Sequence, residues 1–298
     1  MYGATKLTTG VTINRALKLY SPGSKILSRR KEAGLSSGRT SFLDEIRAIA
    51  SFNHQNLVKV IDAGKYEDQP YFVMEYVDGA PLRSLLDTTS EHFPMWQQKA
   101  QTDVFLVLRM ARQLCWPVIY LHSFRFFHFD IAPKNIFVRE VNQRPHLILG
   151  DLGVGRSVPN PDDPALEQKA DIFIGGTREY TPDCLHDYLN RKPIPAKELA
   201  KYATYWDVFA IATVLEEMIQ KWSLDTHPDL IATRILCTRA KRYDEQFDAE
   251  RFTNELERLL PVQVLTAGVQ ELSSDAFGKR TMSLCRFIRF LYQRELKT

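Results

Sequence analysis

The chain has 298 residues, of which 44% are hydrophobic and 25% charged, a balance that excludes disorder and fibrous structure and leaves room for one large domain or two lobes. A net charge of +3 is too small to imply a nucleic-acid partner, and the Lys/Arg cluster over residues 279–298 reads as a solvated helix face. Cys115, Cys184, Cys237 and Cys285 show neither metal-ligand spacing nor a disulfide framework. No apolar run approaches the ~18 residues that span a bilayer, and "MYGATKLTTG" lacks the apolar centre of a signal peptide. The expectation is a protein of the reducing cytoplasm with no membrane partner.

In chain order, "VTINRALKLY" (residues 11–20), "LVKVIDAGKY" (57–66) and "YFVMEYV" (71–77) carry apolar and β-branched residues between turn formers, and predict strands of one antiparallel sheet. Between them "SFLDEIRAIASF" sets Phe42, Ile46 and Ile49 at helical spacing, with Asp44, Glu45 and Arg47 on other faces. The stretch between that helix and the first strand, residues 20–40, reads as a solvated loop. After residue 80 the character changes to helices over 103–124, 205–222 and 248–260, with short strands at "NIFV" and "LILGDL". Pro117 lies inside the first of these helices, where a missing N–H and a ring clash of about 3 kcal/mol predict a kink or break. "GAPL" at 79–82 is the natural hinge, which divides the chain into residues 1–78, a small β-rich lobe, and 79–298, a larger helical lobe.

The polar residues of "FHFDIAPKNIF" (127–137) sit among bulky apolar neighbours, and a turn alone accounts for an Asp and an Asn at this spacing. Asp151, at the end of the strand-like "LILGDLG" and two residues before Gly153, is placed to offer both oxygens to a hard cation. Asn135 offers a neutral oxygen of the same kind. That leaves Asp130 to orient an attacking hydroxyl, the third group phosphoryl transfer requires. Lys18, ending "RALK", can meet a carboxylate such as Glu45 and clamp phosphates.

Taken together, these pieces resemble a eukaryotic-type protein kinase. "RALK" is similar to the V-A-I-K lysine motif, "FLDEI" to its helix glutamate, "VMEYVDG" to the hinge, "HFDIAPKN" to H-R-D-x-x-x-x-N, "DLG" to D-F-G and "GTREYTPD" to the segment reaching A-P-E. "DVFAIA" resembles the helix whose aspartate, Asp207, anchors the catalytic loop, and "DAFGKRT" the late motif whose arginine, Arg280, pairs with the acid of A-P-E, here Asp183. The resemblance implies an α+β, two-lobed kinase fold with a small antiparallel β-rich lobe holding one helix and a large, mainly helical lobe. It implies transfer of the γ-phosphate of ATP, with Mg2+, to a protein substrate. Asp130, Lys134 and Asn135 would be catalytic. Lys18, Glu45, Ala16, Met74 (the gatekeeper), Glu75, Val77 and Phe137 would hold the nucleotide, and Asn135 and Asp151 the metal.

Departures from the family pattern are informative. Phe129 replaces the loop arginine that binds a phosphorylated activation segment, which implies a segment ordered without that phosphate. Ala132 replaces the lysine typical of Ser/Thr kinases, but Lys134 keeps a cation near the transferred group. "GTREY" is Ser/Thr-like, with Thr177 as the residue that contacts the catalytic aspartate. Counting back from Lys18, Met1 falls where the valine after the glycine-rich loop is expected, so that loop is not found in the sequence and Gly3 and Gly10 do not replace it. The resemblance also implies a column of Val60, Ile49, Leu152 and His128 joining the lobes. Two other readings stay open: a pseudokinase scaffold, and a small-molecule phosphotransferase of the aminoglycoside type.

Overall fold

The computed structural model describes residues 2–8, 11–19, 49–66, 69–87, 104–142, 144–164, 166, 171–172, 174–189, 192–222, 231–244 and 246–259. Strand β1 (Tyr2–Thr8) pairs antiparallel with β2 (Val11–Leu19), Thr8 lying opposite Val11. β2 continues the sheet to β4 (Gln69–Glu75), whose other edge takes β3 (Val60–Tyr66), giving the order β1-β2-β4-β3. In β4 Phe72 and Met74 are buried while Tyr71, Val73 and Glu75 between them are half-buried, the period-two signature of a strand with one covered face. β1 is absent from the sequence reading, because Gly3 and Ala4 weaken its strand signal and its partner β2 supplies the missing specification. Of the predicted helix 41–52, residues 49–51 are described and helical, with Ile49 buried as its spacing requires. Glu45, Phe42, Ile46 and the 20–40 stretch lie outside the described residues.

The larger lobe begins where β5 (Ala80–Pro81) pairs with β7 (Ile136–Val141), which pairs in turn with β8 (Arg144–Leu149). A third small sheet joins β6 (Phe126–Phe127) to β9 (Arg156–Ser157). Among the described residues five α-helices follow the hinge: α1 (Leu82–Leu86), α2 (Val104–Ser123), α3 (Ala196–Lys221), α4 (Ile231–Ala240) and α5 (Ala249–Arg258). The architecture is the expected α+β, two-lobed one. α3 buries residues on nearly every face, as a helix at the centre of a lobe must. α5 is capped by Asp248, whose carboxylate accepts the Arg251 N–H at 2.8 Å, and turns Phe252 and Leu256 inward.

Several local expectations are corrected. α2 runs unbroken through Pro117. Leu114, Cys115, Val118 and Leu121 around it are essentially unexposed, and burial at about 1.5–3 kcal/mol per large side chain outweighs one missing bond. α3 starts at Ala196, directly after Pro195, rather than at Tyr205, and α4 goes unpredicted because its sequence "IATRILCTRA" mixes exposed and buried apolar residues. The second predicted strand, 57–66, starts at Val60 instead of Leu57. Residues 56–58 instead join the lobes: the Asn56 carbonyl accepts the Leu149 N–H and the Val58 N–H donates to the Leu149 carbonyl, both at 2.8 Å. Ile49, Val60 and Leu152 share the main apolar core, and His128 is fully buried, so all four members of the expected column are interior.

Candidate active site

The catalytic-loop candidate is built on α3. Asp207, with no exposure, accepts the backbone N–H of His128 and that of Phe129, each at 2.8 Å, and its Oδ2 lies 2.9 Å from His122 Nε2. This is the anchoring role the sequence assigns to Asp207. The grip holds Phe129 at φ 60°, a left-handed conformation that costs a bulky residue of order 1–3 kcal/mol. The Phe129 ring is fixed edge-on to Trp206, centroids 5.2 Å apart.

Asp130 is 7% exposed. Asn135 Nδ2 donates both to its carbonyl and to Oδ2 at 2.8 Å, the Thr177 hydroxyl donates to Oδ1, and Lys134 Nζ stands 3.6 Å from Oδ2. Asp130, Asn135, Lys134 and Thr177 are therefore brought together, Lys134 alone being largely exposed. Gly176 ahead of Thr177 has φ +154°, and a Cβ there would come 2.8 Å from the Phe129 carbonyl, so only glycine lets the segment pass this close to the loop. The segment rests on its own apolar cluster of Phe127, Phe129, Val158, Ile174, Leu185 and Trp206, where the family pattern would place a charged arginine.

Asp151 leaves the end of β8 at φ 59°. Asn135, at the start of β7, lies beside it across the hairpin, its carbonyl accepting the Gly150 N–H at 2.8 Å. Lys18 from β2 forms an ion pair with Asp151 Oδ1. Burial opposes ionisation of Asp151, but the Lys18 ammonium, with help from His128 and the Gly153 N–H, outweighs it and holds the carboxyl below the usual carboxylate range. The expected partner of Lys18, Glu45, lies outside the described residues.

On β2 and β4 the register sets Ala16 directly opposite Met74, both buried, so they share one face of the sheet. The Glu75 N–H donates to the Lys59 carbonyl at 2.9 Å. Val77 and Phe137 pack half-buried against the same core, Phe137 from the larger lobe. Were a metal to bind here, Asp151 would offer an anionic oxygen and Asn135, its amide nitrogen spent on Asp130, a neutral one. Among the described residues no group of three or more His, Cys, Asp or Glu gathers to hold an ion alone, and two hard oxygen donors suit a magnesium ion that keeps phosphate and water ligands.

The side chain of Asp183 is 98% exposed, with His186 Nδ1 at 3.5 Å. Arg280, its expected partner, lies outside the described residues. The sequence reading missed a second network. Arg83 of α1 donates to Glu217 of α3 at 2.6 Å and to the Tyr180 hydroxyl at 2.6 Å, and that hydroxyl in turn donates to Glu217. It ties the segment after Thr177 to two helices. The tyrosine of "GTREY" was the one available signal.

Sequence comparisons agree with this geometry. A family model described as a protein kinase domain matches residues 22–259, a span that begins after Lys18. The chain is 31% identical over 143 residues to the serine/threonine-protein kinase PknB of Mycobacterium leprae, covering 47% of this chain and 20% of that protein. It is 30% identical over 171 residues to the serine/threonine-protein kinase pkn3 of Myxococcus xanthus, covering 56% and 29%. Against the interferon-induced, double-stranded RNA-activated protein kinase of Rattus norvegicus it is 25% identical over 201 residues, 61% of this chain and 34% of that one. The matched regions thus make up a fifth to a third of these relatives' lengths. With the model match covering most of its length, the chain belongs to the protein kinase domain family.

Proposed function

We propose that the chain transfers the γ-phosphate of magnesium-ATP to serine or threonine hydroxyls of a protein substrate. The observation that supports this best is Asp130: an almost buried carboxylate, oriented by the Asn135 amide and the Thr177 hydroxyl, with a cation 3.6 Å away. Asp130 accepts and orients the attacking hydroxyl. Lys134 places positive charge beside the group in flight, and Lys18 neutralises phosphate oxygens. Asn135 and Asp151 are the residues that would hold magnesium, which when bound supplies charge neutralisation between phosphates. Ala16, Met74, Glu75, Val77 and Phe137 line the base slot, with Glu45 completing the lysine clamp. Residues 1–78 and 79–298 form the two lobes that close on the nucleotide, and a cytoplasmic setting suits the unpaired Cys115, Cys184 and Cys237.

A second reading, a scaffold that keeps the fold without transfer, draws support from Lys18 resting on Asp151 and from Phe129. Radiolabelled transfer from ATP to a basic protein separates the two. Asp130→Asn should lower transfer by about 10²- to 10⁴-fold with nucleotide binding and melting unchanged, whereas Asp151→Ala should remove the magnesium-dependent part of binding. No transfer by the unaltered chain, together with no magnesium-dependent thermal shift with ATP, would leave the scaffold.

A further inference from the structure

The segment that carries Thr177 is fastened by a side chain from further along the chain. His186 follows the short 3₁₀ turn Asp183–Leu185, and its side chain keeps 17% exposure. Its Nε2 lies 2.9 Å from the Thr181 carbonyl and 3.1 Å from the Arg178 carbonyl. A carbonyl only accepts, so Nε2 carries the proton and shares it between the two in a three-centre bond. These carbonyls bracket the 3₁₀ turn Arg178–Tyr180. At three residues per turn, groups three positions apart stack on one side, which is why a single N–H reaches both. The Arg178 carbonyl also accepts the Thr181 N–H at 3.1 Å, so both of its lone pairs are used. From Thr181 the contacts run on: its hydroxyl donates to the Thr177 carbonyl at 3.0 Å, and the Thr177 hydroxyl donates to Asp130 Oδ1.

We propose that His186 is a positioning residue for the protein acceptor: its ring fixes the backbone on both sides of Tyr180 and, through Thr181, sets where Thr177 meets Asp130. This rests on the reading of Asp130 as the group that orients the attacking hydroxyl, and it adds the device that holds the acceptor's side of that group in register. Glu217 and Arg83 hold Tyr180 through its phenol, while the imidazole holds the peptide groups at either end of the turn. Without the ring N–H the Thr181 carbonyl loses that donor, and the turn that carries the Thr177 contact is free to shift. Lys18 and Asp151 take no part in this chain of contacts, so loss of the staple is felt by the protein acceptor and not by ATP.

The test compares His186→Phe, which keeps a ring and loses the donor, with His186→Gln, whose amide nitrogen can take the place of Nε2. Deuterium uptake by the full chain, read by mass spectrometry on fragments that span residues 177–186, needs no substrate. The Tyr180 and Thr181 amides should exchange at least about tenfold faster in His186→Phe and at the parent's rate in His186→Gln. In transfer assays His186→Phe should lower kcat/KM for the protein acceptor by about 10- to 100-fold and leave the KM for ATP within about twofold of the parent's, the split expected of lost acceptor placement. His186→Gln should restore it. Thermal melts distinguish a loosened segment from a failed fold; should His186→Phe not fold, His186→Met carries the same expectations. Unchanged exchange in His186→Phe overturns the proposal whatever the transfer rate, and faster exchange with acceptor kinetics unaltered overturns the positioning role. Faster exchange in a chain that transfers nothing supports the fastening of the segment while overturning the enzymatic reading.

Discussion

Replacing Asp207 by Asn tests how far the catalytic loop depends on one buried carboxylate. The side chain has two oxygens and three partners: the His128 and Phe129 N–H groups at 2.8 Å and His122 Nε2 at 2.9 Å. An amide keeps the shape but turns one oxygen into a donor. If its oxygen stays on Phe129, its NH2 faces the His128 N–H, and that buried donor loses its acceptor at a cost of about 1–3 kcal/mol. The bond that survives is no longer charge-assisted, which takes about another 1 kcal/mol. The sum, roughly 2–4 kcal/mol, corresponds to a melting temperature lower by about 5–15 °C for a domain of this size. The loop that carries Phe129 at φ 60° is then held by one weakened bond in place of two, and Asp130 moves with it. Transfer should therefore fall by at least about 10²-fold, since a displacement near 1 Å is enough for that. Calorimetry and a transfer assay on the same preparation check both parts. A variant melting within about 1 °C of the parent would refute the reasoning, because the carboxylate would then not be what fixes the loop.

Tyr180→Phe should destabilise by about 1–2 kcal/mol and raise the KM for the protein acceptor while leaving that for ATP unchanged, since Arg83 keeps both oxygens of Glu217. Burial first, then Glu217, pushes the Tyr180 hydroxyl well above its ordinary range, so this donor should persist through alkaline pH in a titration followed by tyrosinate absorbance. Burial, then the neighbouring His146, pushes His54 down to about 4. Its folded value lies below the ordinary one, so its stabilisation is complete above pH ~6.5 and is lost as pH falls towards ~4, amounting to up to about 3 kcal/mol. Urea unfolding of His54→Gln should show a flatter pH dependence across that window. Phe129→Arg puts an unpaired charge into an apolar cluster, at about 3–5 kcal/mol, and limited proteolysis should then cut within residues 154–194; a segment as resistant as the parent's would contradict the packing argument.

The sequence disclosed the site better than its surroundings. Asp130, Asn135 and Asp151 stand out because short polar side chains interrupt apolar runs at fixed intervals, and interruptions inside a core need a reason. Asp207 and Thr177 were expected from the resemblance of "DVFAIA" and "GTREY" to kinase motifs, and their contacts to the loop are present. Arg83 and Glu217 were invisible: an arginine beside a hinge and a glutamate on a helix look like any solvated pair until the fold brings residues 134 positions apart within 2.6 Å. Pro117 misled because a local penalty was weighed without the burial that overrides it.

His128 shows why the Asp130 loop and Asp151 are fixed as one unit. Its backbone N–H is held by Asp207 at 2.8 Å, its Nδ1 accepts the Asp130 N–H at 3.2 Å, and its Nε2 lies 2.9 Å from the Gly150 carbonyl. A carbonyl only accepts, so Nε2 carries the proton, and Nδ1, facing an N–H, does not. One imidazole in one tautomer thus connects helix α3, Asp130 and Gly150, the residue before Asp151. Leu152, one step further on, is buried in the main core beside Ile49 and Val60, so a shift of the smaller lobe bears on Asp151 through packing and on Asp130 through this ring. A leucine in place of the family's phenylalanine retains the bulk needed for the first route, a substitution costing less than about 1.5 kcal/mol where neighbours close in, and has no part in the second. The second route depends on the imidazole alone, because no other side chain of its size offers a donor and an acceptor on opposite sides of a rigid ring.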